Sequence, residues 1–126
     1  MNIEKLIELA IDAQKNSYSP YSKFAVGSCL LTKNGKVYCG SNIENASYPA
    51  GICAERVAAS KAIFDGEKEF DTIVITASGD CYPYPCGICR QFLSEFGDMK
   101  VVVAKSKNDY KEFMLSELLP SSFELK

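Results

Sequence analysis

Thr72-Ile73-Val74-Ile75-Thr76-Ala77 and Val101-Val102-Val103-Ala104 are compact β-branched runs, and what lies between and before them decides the fold. Such runs suit strands covered on both faces. Between them, Cys86 to Phe96 has Pro85 before it and Gly97 after it, the punctuation expected of a helix. Upstream, Cys53 to Phe64 combines alanines with the apolar anchors Val57, Ile63 and Phe64, and reads as a helix stopped near Gly66. Earlier still, Phe24 to Leu31 and Val37 to Ile43 suit two strands joined through Thr32-Lys33-Asn34-Gly35-Lys36, where Asn-Gly is a strong hairpin signal. Ile3, Leu6, Ile7, Ala10, Ile11 and Gln14 carry helical spacing over residues 2–15, and Asn16 to Ser22 is a loop by its proline and serines. A short helix is expected over Leu115 to Leu119, ending at Pro120. The order α-β-β-α-β-α-β, then a small helix, predicts an α/β fold: a mixed sheet with helices on its faces. Ligands in such sheets collect beyond the carboxyl ends of strands, where helices begin. Both cysteine-bearing helix starts fall at such transitions.

The chain has 126 residues, the size of a single domain spanning 1–126, with 47% hydrophobic and 24% charged residues. Its net charge of −2 and the lack of a long basic run argue against a polynucleotide partner. The mixed charges of Met1-Asn2-Ile3-Glu4-Lys5 do not resemble a signal peptide, and no apolar run approaches a membrane span. A cytoplasmic location is therefore expected, where six cysteines serve as thiols or ligands rather than disulfides. There is no histidine. Acid–base work near neutral pH must come from carboxylates, cysteines, lysines, tyrosines or a metal-bound water.

Gly51-Ile52-Cys53-Ala54-Glu55-Arg56 and Tyr84-Pro85-Cys86-Gly87-Ile88-Cys89-Arg90-Gln91 supply three thiols and one carboxyl at two helix starts. Cys86-x-x-Cys89 alone is ambiguous between a redox pair and half of a structural zinc site, for which Cys81 is the only nearby fourth ligand. Adding Cys53 and Glu55 favours a catalytic zinc: three thiolates leave a fourth position for water, with the carboxyl beside it. Three thiolates against a divalent ion leave about one negative charge, which weakens zinc as an acid. Arg56, Arg90 and the two helix N-termini are candidates to draw that charge off. Cys29 and Cys39 lie within strand patterns and read as small packing residues. Asn42 and Glu44 are two apart on a strand end and point to one face. An exposed strand end explains them most simply, and a hydrogen-bonding station is the alternative.

Cys53-Ala54-Glu55 followed by Pro85-Cys86-Gly87-Ile88-Cys89 resembles the three-cysteine form of the established zinc deaminase signature. Tyr21-Ser22-Lys23-Phe24, Val26-Gly27, Asn42-Ile43-Glu44-Asn45-Ala46, Cys89-Arg90-Gln91, and Glu117-Leu118-Leu119-Pro120 with Phe123 extend the likeness almost end to end. The chain is similar to the small cytidine deaminases, a homotetrameric family. The resemblance implies a three-layer α/β/α fold with a mixed five-stranded sheet and helices on both faces. It implies one Zn2+ per subunit on Cys53, Cys86 and Cys89, with Glu55 as proton shuttle and not a ligand. It assigns Arg56 and Gln91 to support of the zinc thiolates. Asn42 and Glu44 would hold the ribose, Phe24 would pack on the pyrimidine and the Ala54 backbone would meet the base. Tyr48, in the loop from Ala46, and Phe123 would reach a neighbouring subunit's pocket. The implied activity is hydrolytic deamination of cytidine and 2'-deoxycytidine to uridine and 2'-deoxyuridine, with release of ammonia, in pyrimidine salvage. The chain departs from the family pattern at Tyr84, where relatives often carry Ser or Thr, and its tail after Phe123 is short. Three other readings fit parts of the pattern: a deaminase of a nucleoside-like antibiotic, as in blasticidin-S deaminase, a non-catalytic zinc-stabilised binding protein, and a dithiol redox protein.

Overall fold

The computed structural model describes residues 1–125. Its elements are α1 (Ile3–Ala13), β1 (Val26–Thr32), β2 (Val37–Ser41), α2 (Ala54–Phe64), β3 (Phe70–Ala77), α3 (Gly87–Ser94), β4 (Lys100–Ser106), β5 (Asp109–Met114) and α4 (Leu115–Leu118). They form one five-stranded sheet of order β2-β1-β3-β4-β5. The β3–β4 pair is parallel and the other neighbours are antiparallel, so the sheet is mixed as expected. Gly35, at φ +90°, supplies the left-handed residue that the β1–β2 turn needs.

β5 carries no strand signal in the sequence. Asp109, Lys111 and Glu112 give it no apolar alternation, and only Tyr110 and Phe113 are partly covered. It is an edge strand, where charge discourages pairing with another sheet.

Strand alternation sorts the core into two layers. Leu30, Ile73, Ile75, Val101 and Val103 pack with Ala58, Ala59 and Ala62 of α2 and Leu93 of α3. Cys29, Val74, Val102 and Ala104 pack on the other face with Leu6, Ile7 and Ala10 of α1. Helices thus cover both faces. Two glycines set how closely they lie. A Cβ at Gly27 would sit 1.9 Å from the Ala10 carbonyl oxygen, and one at Gly40 would sit 2.5 Å from the Ala58 nitrogen. With its alanine face, α2 therefore rests almost on the sheet backbone, which fixes where its N-terminus emerges.

The register puts the start of β1 beside the ends of β2 and β3: Gly27 pairs with Ser41, and Val26 with Ala77. The segments that lead into α2 and α3 leave from this same end of the sheet. No helix among the described residues is long and apolar enough to cross a membrane.

Candidate active site and metal centre

Cys53 and Cys86 are the N-cap residues of α2 and α3, one step before the first turn in which the sequence reading placed them. Neither uses its side chain to cap its helix, so both sulfurs are free to turn toward each other. Their Sγ atoms are 3.7 Å apart. Cys89, three residues into α3, completes a cluster whose sulfurs all lie within 4.8 Å of one another. Among the described residues no other group of three or more such ligands comes together. Cys81 is outside it, which removes the fourth ligand that a closed structural site would want.

Three soft sulfur donors at this spacing fit a zinc ion with a remaining open position. The electrostatics also fit. The Arg56 guanidinium stands 3.7 Å from Cys53 Sγ through Nη2, while its Nε is buried with no protein partner. A hydrogen bond from the Cys89 thiol, ahead of those from Arg56 and Cys86, holds the Cys53 thiol down to about 5 against the effect of burial. Cys89, hydrogen-bonded to Cys53, buried, and facing Glu55 and Cys53, is pushed up.

Glu55 follows on the second residue of α2 and is only 4% exposed. Burial, with the Cys53 charge adding to it, pushes its carboxyl up to about 7. A carboxyl poised near neutrality both accepts and gives protons.

Two adjoining clefts meet here. One, of about 210 Å³, is lined by Phe24, Asn42, Cys53, Ala54, Glu55, Tyr84 and Cys86. The other, about 590 Å³, is lined by Asn42, Glu44, Tyr48, Cys53, Arg56 and Cys86, with Tyr21, Ile43, Ile52 and Ile88 as an apolar wall. Asn42, Cys53 and Cys86 belong to both. The smaller cleft joins the proton-carrying group to the sulfurs, and the larger extends past Glu44.

Asn42 and Glu44 are not a simple exposed strand end. Ile43 exchanges two backbone hydrogen bonds of 2.9 Å with Ile52, the residue before Cys53, which ties this segment to the cysteine cluster. The Asn42 Oδ1 accepts from the Val26 amide at 2.9 Å and from the Ser17 hydroxyl, and its Nδ2 donates to the Phe24 carbonyl at 2.9 Å. One Nδ2 hydrogen is left for a ligand. The Glu44 Oε1 accepts the amides of Tyr21 and Ser22 at 3.0 and 3.2 Å, and its Oε2 accepts the Ser22 hydroxyl. The same Ser22 oxygen accepts the Phe24 amide at 3.0 Å. These bonds hold the Glu44 carboxyl below the usual carboxylate range, the Ser22 hydroxyl first, against a smaller effect of burial. Lys23 turns this loop at φ +60°, a conformation uncommon outside glycine. Ser17 and Ser22 thus hold Asn42 and Glu44, a part that local sequence does not show because the partners lie more than twenty residues away.

Two expected roles change. Arg90 does not face the sulfurs. Its Nε donates to the Pro85 carbonyl and its Nη1 to the Leu118 carbonyl, both at 2.7 Å, so it pins the turn before Cys86 to α4. Gln91, expected beside the zinc thiolates, spends its amide on a backbone: Nε2 donates to the Phe123 carbonyl at 3.0 Å and Oε1 accepts the Phe123 amide at 3.2 Å. It anchors the tail. Phe123 is 69% exposed and lines neither cleft, and Tyr48, in the wall of the larger one, is 80% exposed. The Tyr84 ring packs on Phe113 of β5 with centroids 5.8 Å apart, at the rim of the smaller cleft.

Residues 1–105 match the family described as the cytidine and deoxycytidylate deaminase zinc-binding region. The chain is 42% identical over 125 residues to the cytidine deaminase of Sporosarcina psychrophila, covering 98% of this chain and 92% of that one. It superposes on the crystal structure of cytidine deaminase from Burkholderia pseudomallei with a TM-score of 0.92 at 39% identity, covering 98% of this chain and all of the other. Cytidine deaminase from Mycobacterium tuberculosis is similar at a TM-score of 0.86 and 30% identity, over 99% of each chain. A match of this extent, over a chain that gathers three thiols and a buried carboxyl at paired helix starts, shows the family: this chain belongs to the cytidine and deoxycytidylate deaminase zinc-binding family.

Proposed function

We propose that the protein is a zinc-dependent deaminase that converts cytidine and 2'-deoxycytidine, with water, to uridine and 2'-deoxyuridine plus ammonia. The observation that carries this reading is the buried carboxyl of Glu55 in the same small cleft as Cys53, Cys86, Phe24 and Asn42. Zinc on Cys53, Cys86 and Cys89 would supply the Lewis acidity that makes water a nucleophile at neutral pH. Phe24 covers a face of the pyrimidine, and the Ala54 backbone meets its polar edge. Glu55 takes a proton from water, delivers it to ring N3 and so makes C4 more electrophilic. The water oxygen bonds to C4, Glu55 takes the second proton from that oxygen and carries it to the amine, and the C4–N bond breaks to release ammonia, so that Glu55 serves first as base and then as acid. Arg56 offsets negative charge on Cys53. Asn42 and Glu44 orient the sugar, each retaining hydrogen-bonding capacity beyond its protein partners.

The larger cleft opens through Tyr48, Ile43, Ile52 and Ile88, all exposed. These apolar side chains, with exposed Phe123, support a homotetramer in which neighbouring copies complete each site. Residues 1–126 act as one domain, a reading supported by a single sheet that draws strands from both halves of the chain. Six free thiols and the family's salvage chemistry support a cytoplasmic location.

The test is the loss of ultraviolet absorbance as cytidine becomes uridine, with metal analysis on the same sample. One zinc per chain and turnover that disappears on chelation and returns with zinc are expected. Zinc without turnover would make the chain a binding protein, and faster turnover of blasticidin S than of cytidine would reassign the substrate. Light scattering gives the oligomeric state, and a monomer with full activity would remove the shared site.

A further inference from the structure

Two of the six cysteines take no part in the metal cluster yet stand side by side. Cys29 of β1 and Cys39 of β2 are direct cross-strand partners. Their Sγ atoms are 3.4 Å apart, and both are free thiols. Directly opposed residues on antiparallel strands have Cα atoms about 4.5–5.5 Å apart, within the about 4.4–6.8 Å that a disulfide spans. The strand register alone therefore sets the two sulfurs side by side.

The two thiols are not equivalent. Cys29 is fully buried against α1. Cys39 is half-buried and lines a cleft of about 240 Å³ between Leu9, Asp12 and Ala13 of α1 and Val57 and Lys61 of α2. Lys61 is held there by a hydrogen bond from Nζ to the Cys39 carbonyl at 2.6 Å. The neighbouring Cys29 thiol first, and then Lys61, hold the Cys39 thiol at about 7 against burial and the Asp12 charge. Burial and Cys39 push Cys29 up. A reachable thiol that ionises readily attacks, and a buried one behind it resolves.

We propose that Cys29 and Cys39 are a redox modification site, separate from the zinc thiols, that closes reversibly to a cross-strand disulfide with a low-molecular-weight disulfide as oxidant. The Cys39 thiolate attacks one sulfur of the oxidant, forms a mixed disulfide and expels one thiolate. Cys29 loses its proton and attacks the Cys39 sulfur, which expels the second thiolate. The two protein protons end on the two released thiols, so one disulfide is reduced as one forms. The product links edge strand β2 to β1, two residues before β2 ends and three before Asn42.

Zinc-loaded protein is incubated with oxidised glutathione at neutral pH, quenched and alkylated in denaturant, and its peptides are mapped by mass. The expected result is a Cys29–Cys39 linked species, lighter by two hydrogens than the dithiol, reversed by dithiothreitol, with zinc still bound. In Cys29→Ala, which lacks the resolving thiol, glutathione should remain on Cys39 as a stable adduct. In Cys39→Ser, Cys29 should stay alkylatable. Full alkylation of both cysteines in the wild-type chain, under conditions that oxidise a control dithiol, would overturn the proposal. So would disulfides confined to Cys53, Cys86 and Cys89 with loss of zinc. The wild-type map decides the matter even where a variant does not fold.

Discussion

The two ends of the cleft, one proposed to carry the chemistry and the other to hold the sugar, are built in opposite ways. At the chemical end, Cys53, Glu55, Cys86 and Cys89 come from two short runs, each beginning a helix, and Glu55 and Cys89 are buried. Helix starts position them, and α2 is seated by its alanine face and by Gly40. At the sugar end, Glu44 is held by Tyr21 and Ser22 from a surface loop, and Asn42 by Ser17, Phe24 and Val26. The first end is held by helical backbone packed on the sheet. The second is held by a set of long-range hydrogen bonds. Damage at the first should therefore appear in metal content and kcat, and damage at the second in KM.

The largest effect that separates the two ends is expected from Cys86→Ala. It removes one of three sulfurs, and activity should fall to background together with zinc content. Full zinc retention in this variant, measured by metal analysis, would break the assignment of the cluster. Glu44→Gln comes next. It keeps the shape but removes a charged acceptor, so KM for cytidine should rise by about tenfold while kcat stays within a factor of about two. An equal fall in kcat with unchanged KM would mean that Glu44 belongs to the chemical end. Ser22→Ala should raise KM by about three- to tenfold, the cost of one hydrogen bond at this exposed clasp, and Ser22→Thr should recover most of it.

The smallest effect is that of pH on the sugar end. The folded Glu44 carboxyl is held below its ordinary value, so its clasp is fully formed above that value and is lost as pH falls through the depressed one. Measured by equilibrium binding, the ratio of uridine affinities between the unaltered protein and Glu44→Gln, in which the titration of Glu55 cancels, should be flat from neutrality down to the ordinary carboxylate range and fall only below it. A decline centred above that range would contradict the clasp.

The same contrast explains what could be read from the sequence. The β-α-β core was legible because strand and helix signals are local, as in Thr72–Ala77 and Val101–Ala104. The cysteines and Glu55 were legible because zinc chemistry demands particular residue types at short spacing. β5 was not, because an edge strand with Asp109, Lys111 and Glu112 carries no burial pattern. Locally, Asn42 and Glu44 have the pattern of an exposed strand end, since nothing near them in sequence shows which distant amides hold them. Arg90 follows Cys89 directly, so proximity in sequence suggested proximity to the sulfurs, while the family likeness implied the same of Gln91. Helix geometry instead turns Arg90 to the Pro85 and Leu118 carbonyls and Gln91 to Phe123. No spacing rule announced the Cys29–Cys39 contact, because it depends on strand register.

The most direct test of the account is Glu55→Ala, assayed for cytidine turnover and zinc in one preparation. The variant should keep its fold and one zinc per chain while kcat falls by about 10²–10⁴-fold, the range for loss of a general acid–base group. Turnover equal to that of the unaltered protein, with zinc retained, would contradict the proposal that Glu55 carries the protons.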